Sequence, residues 1–120
     1  MVDKNTLVTE PNGTKRYFKN NKRHREDGPA VEYPDGTKMW YKDDKLHRDN
    51  NPAIEWVNGT TMWYQNGQLH RDNKPAVEWK DGTKHYYKHG KLHRTDGPAI
   101  EEADGSKTYF VDGVLKSMIG

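Results

Sequence analysis

The polar and apolar positions of the chain repeat with a fixed period of 23 residues. Each copy has a short run such as Ala30-Val31-Glu32-Tyr33, then Asp-Gly or Asn-Gly, then Thr or Ser, and then an aromatic pair. A polar connector follows, and its histidine keeps the same spacing at His24, His47, His70 and His93. A fixed period in this range is typical of repeat proteins, in which each copy forms one structural unit.

The local residue types predict that each unit is a β-hairpin. Asp-Gly or Asn-Gly recurs at 12–13, 35–36, 58–59, 81–82 and 104–105. Such dipeptides favour the two-residue type I′ turn, and β-branched and aromatic residues flank them. No segment has helical periodicity beyond roughly two turns. We therefore predict an all-β fold: five tandem 23-residue β-hairpins that form an elongated, single-layer antiparallel sheet.

The repeat predicts one domain that is divided into five units. A chain of 120 residues allows one domain, which we expect over residues 6–117. Its units are about 6–28, 29–51, 52–74, 75–97 and 98–117, and the ends 1–5 and 118–120 are expected to be flexible. The first and last units differ from the others, as terminal repeats do when one side lacks a neighbour.

A two-residue turn at Asp35-Gly36 would place Val31, Tyr33, Lys38 and Trp40 on one face of the sheet, because successive residues alternate faces. Ala30, Glu32, Met39 and Tyr41 would then lie on the other. The first face would carry an aromatic strip along the array. Contiguous exposed aromatic surface marks a binding site, although the strip could equally be a small core beneath the connectors. The predicted protein-binding residues are Tyr33, Trp40, Trp56, Trp63, Trp79 and Tyr86.

A second candidate surface is a row of arginines, one in each connector. In one interpretation they bind phosphates of nucleic acid or a small anion, and in the other they pair with the acidic residues of each unit and join hairpins. The chain could also associate with itself, through the aromatic strip or through the edge strands. The candidate anion-binding residues are Arg25, Arg48, Arg71 and Arg94.

Composition limits the chemistry that we expect. There is no cysteine, and 20 basic residues against 18 acidic ones give a net charge of only +2. Equivalent histidines two strands apart would be about 10 Å from each other, too far to share an ion with metal–nitrogen bonds of about 2 Å. No nucleophile stands beside a base in a known catalytic motif, and no apolar run is long enough to span a membrane. We expect no catalysis, metal or cofactor, and a cytoplasmic location.

One segment resembles a known repeat family. Tyr64-Gln65-Asn66-Gly67-Gln68-Leu69-His70, followed by Asp81-Gly82, is similar to the MORN pattern, although Arg71 and Asp72 stand where that pattern has glycines. The chain looks more like the variant repeats with Leu-His-Arg and Asp-Gly-Pro-Ala that occur in phages, large DNA viruses and some bacteria, including a family of MORN-variant antitoxins. This resemblance implies a non-enzymatic protein-binding module of phage or mobile-element origin. It further implies an inhibitor, anti-defence or immunity-type role against a host or toxin protein in the host cytoplasm.

Overall fold

The computed structural model describes residues 5–120, which contain eighteen β-strands and no helix. No helix able to cross a membrane therefore occurs in this range. The strands are β1 (Asn5–Thr9), β2 (Lys15–Lys19), β3 (Lys22–Arg23), β4 (Val31–Glu32), β5 (Lys38–Met39), β6 (Tyr41–Lys42), β7 (Lys45–Leu46), β8 (Ile54–Glu55), β9 (Thr61–Met62), β10 (Tyr64–Gln65), β11 (Gln68–Leu69), β12 (Val77–Glu78), β13 (Lys84–His85), β14 (Tyr87–Lys88), β15 (Lys91–Leu92), β16 (Ile100–Glu101), β17 (Lys107–Val111) and β18 (Val114–Ile119).

One antiparallel sheet runs the length of the array. Its strands follow the order β1-β2-β4-β5-β8-β9-β12-β13-β16-β17-β18, with β3 attached to β2, and three further hairpins are β6-β7, β10-β11 and β14-β15. The molecule measures 52 × 32 × 19 Å. The predicted all-β, elongated antiparallel sheet of tandem hairpins is therefore confirmed.

The turns at the Asp-Gly and Asn-Gly pairs differ from the predicted type. Tyr33 N–H donates to the Thr37 carbonyl, and Gly36 N–H donates to the Tyr33 carbonyl, both at 3.0 Å. The loop is therefore Pro34-Asp35-Gly36, a three-residue turn whose last residue, Gly36, has the left-handed φ of +99°. Thr37 N–H donates to Asp35 Oδ1 at 2.9 Å and fixes the aspartate in the turn. The prediction of two-residue turns at these positions is wrong.

Two-residue turns with positive φ at both positions lie at the opposite end of each unit. Asp43 and Asp44 have φ of +48° and +70°, and they connect Lys42 to Lys45 in the β6-β7 hairpin. Asn66-Gly67 occupies the same place in the next unit, with φ of +50° and +83°. These short hairpins stack along the array, since Gly67 N–H donates to the Leu46 carbonyl at 2.8 Å.

The extra loop residue shifts the strand register and reassigns the faces. Val31 lies opposite Met39, and Glu32 opposite Lys38. A one-residue shift moves every side chain of one strand to the other face, so the predicted grouping of Val31 with Trp40 is wrong. We call the face that carries Val31, Tyr33, Thr37, Met39 and their repeat equivalents the triad face. The face that carries Ala30, Glu32, Lys38, Trp40 and their equivalents is the arginine face.

The core is small and lies on both faces of the sheet. Along the arginine face, one row alternates aromatic residues and alanines, and Ala30, Ala53, Ala76 and Ala99 are completely buried in it. Along the triad face, Val31, Ile54 and Val77 are buried. Small side chains fill the arginine face because bulky rings occupy the adjacent strands.

Threonine hydroxyls join the turns of consecutive units. Val57 N–H donates to Thr37 Oγ1 at 3.1 Å, and the same bond recurs from Lys80 to Thr60 and from Ala103 to Thr83. Thr14 is buried, but its hydroxyl has no hydrogen-bond partner among the described residues. The position equivalent to Val57 is Pro34 in the second unit, and proline has no backbone N–H to donate.

The outermost strands of the sheet lie near the two chain ends. Asn5 pairs with Lys19, and Met118 and Ile119 pair with Thr108 and Lys107. The expected flexibility of residues 1–5 and 118–120 stays a prediction, and residues 1–4 lie outside the described residues.

Candidate binding faces

On the arginine face, each connector places an arginine over an aromatic ring. The Arg48 guanidinium carbon lies 3.7 Å from the centre of the Trp40 ring. Its Nη1 donates to the Pro52 carbonyl and to Glu55 Oε2, each at 3.1 Å. The cation is therefore held between a ring, a carbonyl and a carboxylate, and it covers the tryptophan.

The same arrangement occurs in four units. Arg25 lies over Tyr17, Arg71 over Trp63 and Arg94 over Tyr86, at 3.9, 3.8 and 4.0 Å. The corresponding arginine–glutamate distances are 3.6 Å to Glu32, 3.1 Å to Glu78 and 2.7 Å to Glu101. Three of the six predicted binding residues, Trp40, Trp63 and Tyr86, are thus ring partners of arginines on this face.

The connectors fall into two kinds. In the first and fourth, Asp27 and Asp96 bind the arginine Nε at 3.1 Å. Glycine follows each aspartate, and a Cβ at Gly28 would lie only 2.9 Å from the Arg25 guanidinium carbon. In the two central connectors Asn50 and Asn73 adopt positive φ instead, and within residues 5–120 the Nε of Arg48 and of Arg71 makes no ion pair. The Nε–H groups of Arg48 and Arg71, which we call their donor edges, therefore remain available to a ligand.

The repeated histidines join neighbouring units. Asn66 N–H donates to His47 Nδ1 at 3.0 Å, and His47 Nε2 lies 3.2 Å from Asp49 Oδ1. The same backbone bond recurs from Asp43 to His24, from His89 to His70 and from Asp112 to His93, at 2.9–3.0 Å. Because Nδ1 accepts a hydrogen bond, the imidazole proton lies on Nε2 in this arrangement. The imidazole thus replaces a backbone carbonyl between two strands.

The neighbouring carboxylates respond to these contacts. His24 Nε2 lies 2.7 Å from Glu26 Oε1, and this hydrogen bond lowers the pKa of Glu26. In the turns, the backbone N–H of Thr83 lowers the pKa of Asp81 by the same kind of contact.

Among residues 5–120, no group of three or more His, Asp or Glu side chains is placed to hold a metal ion.

The other three predicted binding residues, Tyr33, Trp56 and Trp79, share one repeat position on the triad face, and we call them the aromatic triad. Trp56 is 38% exposed, and Tyr33 and Trp79 are half-buried. In the first and last units the same position holds Glu10 and Glu102. The fold therefore accepts a charged residue where the three central units carry an aromatic one.

The neighbours of the triad are a cation and an imidazole. Arg16 lies 5.9 Å from the Tyr33 ring centre, and the His85 ring lies 4.3 Å from Trp79 in an edge-on orientation. Burial lowers the pKa of His85, opposed by the negative charge of Glu102. Burial thus favours the neutral form of His85 beside the tryptophan.

Two further rows extend the apolar surface of the triad face. Met39, Met62 and His85 lie next to the triad, followed by Tyr41, Tyr64 and Tyr87 with the leucines that pair with them. Burial raises the pKa of Tyr64, with Tyr41 and Tyr87 as its neighbours. These residues were not among the predicted binding residues, although their 23-residue spacing is equally regular. The leucines are Leu46, Leu69 and Leu92.

Open grooves lie between consecutive connectors on the arginine face. The groove between the first and second connectors has a volume of about 660 Å³, and Arg25, Trp40, His47 and Arg48 line it.

Comparison with protein families finds no model that matches the chain, and none of the curated proteins matches it.

Proposed function

We propose that the chain is a non-enzymatic protein-binding module that contacts its partner through the triad face. The observation that carries the proposal is the aromatic triad. An aromatic residue occupies this repeat position in the three central units, whereas Glu10 and Glu102 occupy it at the ends. Because the fold does not require a ring there, we assign the rings of Tyr33, Trp56 and Trp79 to binding.

The arrangement suits a large, shallow protein surface. Equivalent side chains of adjacent units stand about 10 Å apart, since two strands separate them. Three half-exposed rings therefore form a central strip, with rows of methionine, tyrosine and leucine beside it. Aromatic and methionine side chains are enriched in the buried centres of protein interfaces, where a few rings provide most of the binding energy.

The biological setting of the proposal rests on the sequence resemblance alone. The Leu-His-Arg and Asp-Gly-Pro-Ala repeats support a phage or mobile-element origin. They also support an inhibitor, anti-defence or immunity-type role against a host or toxin protein in the cytoplasm.

The test uses substitutions that the array already contains. Trp56→Glu with Trp79→Glu places at the two central positions the residue found in the end units. Lys38→Ala with Lys84→Ala is the control, because both lysines are exposed on the arginine face. Immobilised wild-type protein and both variants would be used to capture proteins from a host lysate, and the captured partner would then be purified and titrated.

We expect the glutamate variant to lose at least tenfold in affinity, with native circular dichroism, while the control binds as the wild type does. Equal affinity of the glutamate variant and the wild type would overturn the proposal.

A second candidate function follows from the donor edges of Arg48 and Arg71. An anionic ligand, nucleic acid included, could bind these edges, although Asp49 and Asp72 stand in the same connectors. Binding of a single-stranded oligonucleotide, measured by fluorescence anisotropy, would then fall steeply as salt rises. Binding of the captured protein partner should instead change little with salt.

A further inference from the structure

The two edge strands of the sheet leave apolar side chains in solvent. Within residues 5–120, β1 pairs only with β2, and β18 only with β17. Of the eight exposed large hydrophobic residues that the structure describes, six lie in these two strands, whereas Val31, Ile54 and Val77 of the interior strands are buried. The exposure therefore comes from a missing neighbouring strand. The six residues are Leu7, Val8, Val114, Leu115, Met118 and Ile119.

The two edges are protected to different degrees. β18 carries Lys116 and has a register shift opposite Tyr109 and Phe110. A lysine and a bulge are features by which proteins keep edge strands from pairing. β1 has neither: its five residues, Asn5 to Thr9, pair with β2 in unbroken register and include no charge and no proline. The β1 edge is therefore the one open to strand addition.

The number of strands decides how two copies would join. The path from β1 to β18 contains eleven antiparallel strands, so the first and last strands run in the same direction. Pairing β1 of one copy with β18 of the next, as a continuation of the sheet, would make a parallel ladder. Pairing β1 with β1 about a two-fold axis perpendicular to the sheet makes an antiparallel ladder, which is the more stable kind and matches every other pair in the molecule.

We propose that β1 pairs in antiparallel fashion with β1 of a second copy of this chain, with Leu7 opposite Leu7 of the second copy. This register also places Thr6 opposite Val8 and Asn5 opposite Thr9, so no like charges face each other. The interface is isologous, and it closes at two copies. Both triad faces then lie on the same side of one continuous sheet.

Pairing over five residues is a small interface. Stable complexes bury about 1,200 Å² or more, so we expect a dimer that forms reversibly with rising concentration. In sedimentation equilibrium, the mass of the full chain should rise from 14.0 kDa toward twice that value. Leu7→Lys should remain monomeric over the same concentrations, since it would bring two lysines together. Met118→Lys, on the other edge, should dimerise as the wild type does.

The register has its own test, because the chain contains no cysteine. Leu7→Cys should cross-link to a dimer under mild oxidation, since directly opposite residues lie within the Cα separation of about 7 Å that a disulfide spans. Thr9→Cys should not, because in this register the two copies of Thr9 are about 13 Å apart.

A wild-type chain that stays monomeric at all concentrations would overturn the proposal. So would dimerisation abolished by Met118→Lys but not by Leu7→Lys, a mass that rises beyond the dimer, or equal cross-linking of the two cysteine variants.

Discussion

The two faces of the sheet use aromatic residues in opposite ways. On the arginine face every unit has an aromatic residue, and arginines cover four of the five rings. On the triad face the repeat position of the aromatic triad carries a ring only in the three central units, and these rings stay partly exposed. A ring that the fold needs is repeated in every unit, whereas a ring that varies between central and end units is open to another use. The five residues of the arginine face are Tyr17, Trp40, Trp63, Tyr86 and Tyr109.

The largest change in stability should distinguish the rings of the arginine face from those of the aromatic triad. Trp63→Ala removes the surface on which Arg71 stacks and leaves a void beside Ala76, so it should lower the free energy of unfolding by about 3 kcal/mol. Trp56→Glu should change it by less than about 1 kcal/mol, because Glu10 and Glu102 occupy the same repeat position. Urea denaturation followed by far-ultraviolet circular dichroism measures both. Similar losses in the two variants would remove the distinction between the faces.

The sequence predicted the array but assigned the faces wrongly. The 23-residue period, the hairpins and the connector histidines were all visible from residue types. The turn was not, because Asp-Gly fits both a two-residue loop and a three-residue loop that ends in a left-handed glycine. Pro34, just before Asp35-Gly36, was the usable signal, since proline favours the first central position of a type I turn. A turn that begins at Pro34 predicts the three-residue loop, and with it the face on which Trp40 lies in the structure.

The candidate site could be predicted only in part for the same reason. The one-residue shift in register places three of the six predicted aromatic residues on the triad face, as the aromatic triad, and the other three on the arginine face, where arginines cover them. The covering itself depends on the path of the connector, which brings Arg48 back over Trp40 and against Glu55. Such a path is a tertiary property, and the residue types did not decide whether each arginine pairs within the chain or binds a ligand.

The next effect concerns the threonines of the triad face. Thr37→Val leaves the N–H of Val57 without its side-chain acceptor and should cost about 1 kcal/mol of unfolding free energy. Thr14→Val removes a buried hydroxyl that has no hydrogen-bond partner in the part of the chain that the structure describes, so it should be neutral or stabilising. Thermal denaturation of the two variants provides the comparison. A loss on Thr14→Val equal to that on Thr37→Val would show that Pro34 does not distinguish the two positions.

A smaller effect should appear as pH dependence on the triad face. Burial lowers the pKa of His85 below its ordinary value of 6.5. The unfolded chain therefore takes up the proton first as pH falls, so His85 costs nothing above about pH 6.5 and destabilises the fold below it. His85→Met, which copies Met39 and Met62, should be more stable than the wild type at pH 5 by a larger margin than at pH 8. Urea denaturation at the two pH values measures this margin, and an equal difference at both would contradict the assignment.

The smallest change in stability is expected in the row of alternating lysine and glutamate residues on the arginine face. Lysine and glutamate alternate across the strands, except that Thr61 stands between Glu55 and Glu78. Thr61→Lys would supply the missing cation and should stabilise the fold by about 0.5 kcal/mol, a modest gain because Arg48 and Arg71 already neutralise the two glutamates.

The charge itself can be isolated with a neutral control of similar length. Thr61→Gln should give no such gain, and the gain of the lysine variant should vanish in about 1 M salt, where charges are screened within about 3 Å. A salt-independent gain, or an equal gain with glutamine, would mean that side-chain length and not charge limits this row. The arginine face would then depend less on alternating charge than its contacts indicate.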